Sequence, residues 1–171
     1  MELSTGSSIN RSELGWAYYH AGRFEDALRQ YGEVLGEFPL ALAGVAEVHD
    51  VQGKHAEAIE GWKKVSNLDP EDQEMLLGLG YAYAAAGNRR EAERILLRGG
   101  DLVRKGKFLS PLNVATIYTA LGETDKAFEW LDRACDERDP YVIWLKVEPK
   151  LAPLRSDPRF AAIVRRVGVP S

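Results

Sequence analysis

Apolar positions along this chain recur at spacings of three and four, in stretches broken by glycine. Between residues 24 and 37, Phe24, Ala27, Leu28, Tyr31, Val34 and Leu35 fall on one stripe, which predicts a helix with a single buried face. The stretch EDQEMLLGLGYAYAAAGNRREA, residues 71–92, predicts a pair of helices. Leu79 and Tyr83 lie four apart on one face of the first, Gly87 can take the left-handed conformation that ends it, and Ala92 opens a second, antiparallel one. Gly80 and Ala92 are small enough to let the two backbones approach.

The same arrangement recurs along the chain. Leu14-Gly15, Tyr18, Gly22, Ala27, Tyr31 and Pro39 form one unit, and Val45-Ala46, His49, Gly53, Ala58, Trp62 and Pro70 a second. The fourth is Val114-Ala115, Tyr118, Gly122, Ala127 and Leu131, with Pro140 one residue late. Leu14 to Ala27, Val45 to Ala58, Leu79 to Ala92 and Val114 to Ala127 are each 13 residues, with a glycine five before every alanine. Gly22 to Gly53 is 31 residues where Gly53 to Gly87 is 34, and the loss falls between Pro39 and Val45, so the first helix there or the turn before it is predicted to be short. Ser7 or Ser8 is placed to cap a first helix running to about His20. Asp69-Pro70-Glu71-Asp72 and Pro111 read as helix starts, and Gly99-Gly100 is expected to weaken a helix that ends by Gly106.

Four units with this signature resemble the tetratricopeptide repeat family over residues 8–140. The resemblance implies an all-α, right-handed superhelix, an α-solenoid of about four helix pairs (about 8–39, 40–70, 71–106 and 108–140), with a C-terminal helical cap at 141–171. The whole chain, 1–171, is then a single domain. It also implies a concave groove, lined by the first helices, that holds a peptide or a helix. The end of the chain, around Leu154-Arg155-Ser156-Asp157-Pro158-Arg159-Phe160, is similar to the C-termini of bacterial tetratricopeptide proteins that carry a kinase, nucleotide-cyclase or DNA-binding domain upstream. That likeness admits a second role, as the regulatory or oligomerisation domain of a larger signalling protein.

The groove also follows from spacing. Opposite the Leu-Gly-x-x-Tyr face of each first helix runs a stripe at i, i+3, i+7 and i+10: Ile9, Ser12, Trp16, Tyr19; Leu40, Ala43, Glu47, Asp50; Glu74, Leu77, Tyr81, Ala84; Leu109, Leu112, Thr116, Thr119. Trp16, Tyr19, Glu47, Asp50, Glu74 and Tyr81, with the neighbouring Asn113, are the candidate partner-binding residues. Some members of the family clamp acidic chaperone tails with Lys, Asn and Arg along this stripe. Here only Asn113 is of that kind, while Glu47, Asp50 and Glu74 carry the opposite sign, so the expected partner is an apolar protein segment bearing Lys or Arg.

Composition narrows the picture further. Lys and Arg number 22 against 26 Asp and Glu, so general nucleic-acid binding is not expected. The bases concentrate at the end: Arg138 to Ser171 holds seven bases and three acids, a local +4. Those bases either pair locally or form a docking surface. A lone Cys135, an N-terminus without signal-peptide character and the lack of a long apolar run point to a soluble, cytoplasmic protein. His20, His49 and His55 form no i, i+4 metal pair, and no nucleophile motif or phosphate loop occurs, so neither catalysis nor a metal nor another cofactor is expected. Beyond Pro140 the repeat stops, and Phe160, Ile163 and Val164 are predicted to seat an end helix that covers the last repeat.

Overall fold

The computed structural model describes residues 2–168, with side chains from Ser8 onward. Four helix pairs follow one another: α1 (Glu2–His20) with α2 (Phe24–Val34), α3 (Ala41–Val51) with α4 (His55–Ser66), α5 (Gln73–Ala85) with α6 (Arg89–Arg104), and α7 (Pro111–Ala120) with α8 (Thr124–Asp136). No strand occurs among the described residues. The first helices α1, α3, α5 and α7 touch in series and make an inner wall, and each is backed by its own second helix. The fold is therefore an all-α solenoid.

Each reversal within a pair is made the same way. Gly22, Gly53, Gly87 and Gly122 take φ between +72° and +75°, and the next N–H returns to the carbonyl five residues back, as from Arg23 to Tyr18 and Asn88 to Tyr83. Between pairs, a ring seats in a notch. Tyr31 packs against Gly15 of its own pair and Gly44 of α3, while Trp62 of α4 lies against Gly78 of α5, where a methyl group would come within 2.5 Å of the indole. Any side chain there would push the two pairs apart.

The third junction differs. Leu96 stands where Tyr31 and Trp62 stood, and α6 is 16 residues long against 11 and 12 for α2 and α4. An open cleft of about 730 Å³ lies there, bounded by Leu96, Leu97 and Arg104 of α6, Leu109 and Tyr118, and Trp130 of α8. The expected weakness at Gly99-Gly100 does not develop, because α6 runs unbroken to Arg104 before Gly106 turns at φ +82°. Gly99 is buried beneath Leu109, which accounts for its lack of a side chain.

Two other local expectations resolve clearly. The short second unit is a shortened helix, 11 residues in α3 against 13 in α5. Ser8, in contrast, does not cap: α1 begins at Glu2, so Ser8 lies inside the helix and its hydroxyl donates to the Glu37 carboxylate at 2.6 Å. Helix starts at Asp72, Ser110 and Asp157 do follow the capping rule, each side chain accepting a main-chain N–H.

After α8 the chain does something that periodicity does not announce. It turns at Arg138 (φ +54°) and crosses the inner wall as two 3-10 turns, Pro140–Trp144 and Pro149–Leu154, before α9 (Pro158–Val167) packs on α8. We call residues 140–154 the strap. Asp139, 1% exposed, fixes its start by accepting from Ser110 Oγ at 2.7 Å, Leu112 N at 2.9 Å and Tyr141 N at 2.9 Å. Leu145, Leu151 and Leu154 are buried in one cluster with Leu112, Phe128, Leu131, Phe160 and Ile163. The end helix thus covers α8 with Phe160 and Ile163 inward, and the strap adds a second cover over the inner wall.

Candidate functional site

The predicted stripe is divided: Leu109 lies at the cleft beside α6, Ala84 packs among α5, α6 and α7, Tyr19 packs in the core of the first pair, and other members line the inner wall. Trp16 of α1, Glu47 of α3, Glu74 and Tyr81 of α5 and Asn113 of α7 converge on a single half-open space, and the strap partly covers it with Tyr141, Trp144, Glu148 and Lys150. Tyr19 and Asp50 are reached by no solvent to speak of, at 0% and 3% exposure, because they sit behind the others and beneath the strap.

The contacts are specific. The Trp144 ring meets Trp16 edge-on at 4.3 Å between centroids and lies 4.8 Å from the His20 ring. Glu148 accepts from the Tyr19 hydroxyl at 3.0 Å and sits 3.5 Å from His20 Nε2, whose other ring nitrogen donates to the Trp16 carbonyl at 3.1 Å. Lys150 crosses to α3 and donates to Glu47 at 2.8 Å, its ammonium over the Tyr81 ring at 5.0 Å and the Trp62 ring at 5.8 Å. The Tyr141 hydroxyl donates to Glu74 at 3.0 Å.

Charge explains why the cluster holds together. Burial alone would pull the Lys150 ammonium down, but Glu47, Glu148 and Asp50 hold its pKa above the ordinary lysine value. Glu148 is also buried, yet the His20 hydrogen bond and Lys150 keep its carboxyl below the usual range. Asp50 goes the other way. Desolvation pushes it up to about 7 despite Lys150 and a 2.7 Å hydrogen bond from Trp62 Nε1, and its second oxygen, Oδ1, accepts no hydrogen bond from the chain. Glu74 is raised by desolvation and then by Glu47 beside it, for it stands inside the concavity, ringed by protein while solvent still reaches it. Burial also lifts the Tyr81 hydroxyl to about 12.

The strap leaves two spaces. Beneath it is a void of about 40 Å³ lined by Trp16, Glu47, Trp62, Tyr81 and Trp144 among others. Beside it, toward α1, is an open pocket of about 250 Å³ bounded by Ser12, Glu13, Trp16, Leu40, Ala43, Glu47 and Glu74. No Lys or Arg of the inner helices lines either space.

Comparison with known families agrees with this geometry. Two sequence profiles, each described as tetratricopeptide repeat, match residues 12–64 and 52–105, together more than half of the chain. The chain belongs to the tetratricopeptide repeat family. No curated protein and no solved structure matches it. The repeats of this family are in general protein–protein interaction modules. In this tetratricopeptide protein the wall holds the chain's own strap. Sequence reasoning found the wall residues and missed Tyr141, Trp144, Glu148 and Lys150 as their counterparts. The available signal was chemical: residues 141–150 are an apolar segment carrying lysine, the kind of occupant the wall's acids call for.

The basic end is largely accounted for within the chain. Arg159 pairs with Asp157 and Asp125 and lies over the Phe128 ring, Arg166 pairs with Asp132 and Asp136, and Arg155 donates to the Glu148 carbonyl. Among the described residues, no helix is long and apolar enough to cross a membrane.

Proposed function

We propose that the chain is a non-enzymatic scaffold that binds a partner protein through its concave wall, and that the partner presents an apolar segment with a lysine or arginine. The observation that carries this reading is the strap itself. The wall already accommodates two aromatic rings and a buried lysine, set against Trp16, Tyr81 and Glu47. The pocket left open beside it is bounded by Glu13, Glu47 and Glu74, for which Lys150 supplies the one nearby cation in the lining described above. Acids that outnumber their partners in a half-enclosed site select a basic ligand, and apolar Leu40 and Trp16 supply area for its neighbours.

Titration calorimetry with short peptides tests this. Peptides combining aromatic or aliphatic residues with Lys or Arg should bind, and the same peptides with Glu in place of the base should not. Charge reversal at Glu13 and Glu74, both solvent-accessible, should abolish binding without loss of helical circular dichroism. Equal binding of both peptide sets would remove the wall as a recognition site.

One observation favours a second role, that of an end-domain in a larger signalling assembly. Leu14 is 43% exposed, whereas the equivalent Leu79 and Val114 are 9% and 1% exposed beneath the preceding pair. That leaves the outer face of α1 available to a further domain or a second copy. Size-exclusion chromatography with light scattering distinguishes the two: a dimer disrupted by Leu14→Asp supports this role, and a monomer at all concentrations speaks against self-association through that face.

A further inference from the structure

We infer that residues 140–150 are the resident ligand of the concave wall, and that a partner segment of the same order, aromatic side chains followed by a lysine, enters by exchanging with them. This rests on the scaffold reading above and adds the partner's pattern and its regulation.

The strap has two parts with different attachments. Its root is held by Asp139 at the start of α7 and by Leu151 and Leu154, which are buried with α7, α8 and α9. Its tip reaches α1, α3 and α5 mainly through rings and charged hydrogen bonds: Trp144 on Trp16 and His20, Glu148 on Tyr19 and His20, Lys150 on Glu47 and the Tyr81 and Trp62 rings, Tyr141 on Glu74. The tip has little structure of its own, being one 3-10 turn and the link to the next, and such turns are stable only in the setting that shapes them. Its outer side is uncovered, with Ile143 58% and Val147 41% exposed. Releasing the tip uncovers the wall while Leu151 and Leu154 stay in the cluster at the root, and it draws out Leu145, which lies within the tip and is fully buried in that cluster.

The fit beneath the tip is also incomplete. The void of about 40 Å³ remains among rings and charges, and the buried Asp50 Oδ1 has no hydrogen-bond partner in the chain although Lys150 is close by. Once the tip leaves, Glu47, Asp50 and Glu74 stand on a wall whose lining offers no Lys or Arg from the inner helices, so an incoming segment must bring a cation. Because the closed strap competes from within the same chain, it lowers the partner's apparent affinity by the fraction of molecules in which the tip is open.

The probe is a fluorescein-labelled peptide of residues 139–155, and the readout is its fluorescence anisotropy on titration with the full chain. Trp144→Ala in the protein loosens the tip alone and should tighten probe binding by about tenfold or more over wild type. Adding Glu47→Lys to that variant, or Lys150→Glu to the probe, should remove the gain. A Trp144→Ala protein of native helicity that binds the probe no better than wild type overturns the exchange. Should Trp144→Ala fail to fold, hydrogen exchange on the wild-type chain decides: amides of 141–150 are expected to exchange about tenfold or more faster than those of 114–119, through an opening with a weaker urea dependence. Equal protection with the same urea dependence makes the strap a fixed part of the fold. If exchange fails in this way while Lys-bearing peptides still bind the open pocket in a Glu13- and Glu74-dependent manner, the scaffold reading stands without its gate.

Discussion

On its return path the chain packs against the fourth helix pair through aliphatic side chains and against the first three through rings and charges. Leu145, Leu151 and Leu154 join the cluster of α7, α8 and α9. Trp144, Glu148 and Lys150 meet Trp16, Tyr19, His20, Glu47 and the Tyr81 and Trp62 rings through directional ring and charge contacts. Aliphatic burial is non-directional and accumulates with area, so the root is secured by many small contributions. The tip depends on a few groups that another segment of like chemistry could supply. Strength of attachment and specificity of recognition are thus divided between the two halves of one strap.

That division can be tested by substitution. Leu151→Ala at the root should cost most, about 3 kcal/mol of stability in urea denaturation, as for other fully buried leucines. Lys150→Met comes next at about 2 kcal/mol, since it strands Glu47 and Glu148, although Glu47, with its side chain 22% exposed, can turn to water. Trp144→Ala should cost only about 1 kcal/mol, because the ring is half-buried and the root stays packed. If Trp144→Ala matched Leu151→Ala, the two halves would be one cooperative unit.

Asp50 supplies an effect of a different kind, read against pH. Its folded pKa of about 7 lies above the ordinary 3.8, so the protonated form is favoured by folding. Its contribution is complete below about pH 4 and is lost as pH rises through about 7. The groups facing it are Trp62, which donates to it, and Lys150 and Glu47, which act on it by charge. Asp50→Asn removes this titration. The wild-type-minus-variant difference in unfolding free energy should fall between pH 4 and pH 7 and level off above, whereas a flat difference would mean that Asp50 is charged throughout.

Much of the repeat architecture was legible because it is local. The 13-residue interval and the reversal glycines act within one pair, whereas the ring-into-glycine notches between pairs emerge only in the structure. The wall was legible as well, since i, i+3, i+7 and i+10 on each first helix decides which side chains face inward. Ser8 misled because a hydroxyl beside a helical run reads as a cap, while here it serves a carboxylate 29 residues away. The strap was hidden for a stronger reason. Its 3-10 turns carry no helical period, and its decisive bonds join residues as far apart as Tyr19 and Glu148, 129 positions along the chain. Nothing short-range links those two residue types. Only the matched chemistry, acids and rings on the wall and rings with a lysine in the tail, pointed there.

The strap lies over the wall in solution, and nuclear Overhauser contacts between aromatic side chains test that most directly. With four tryptophans in the chain, the indole of Trp144 can be assigned by substitution. It should show cross-peaks to the rings of Trp16 and His20, 4.3 and 4.8 Å away between centroids. A Trp144 indole with solvent-like shifts and no contact to α1 would contradict the closed wall and everything inferred from its occupant.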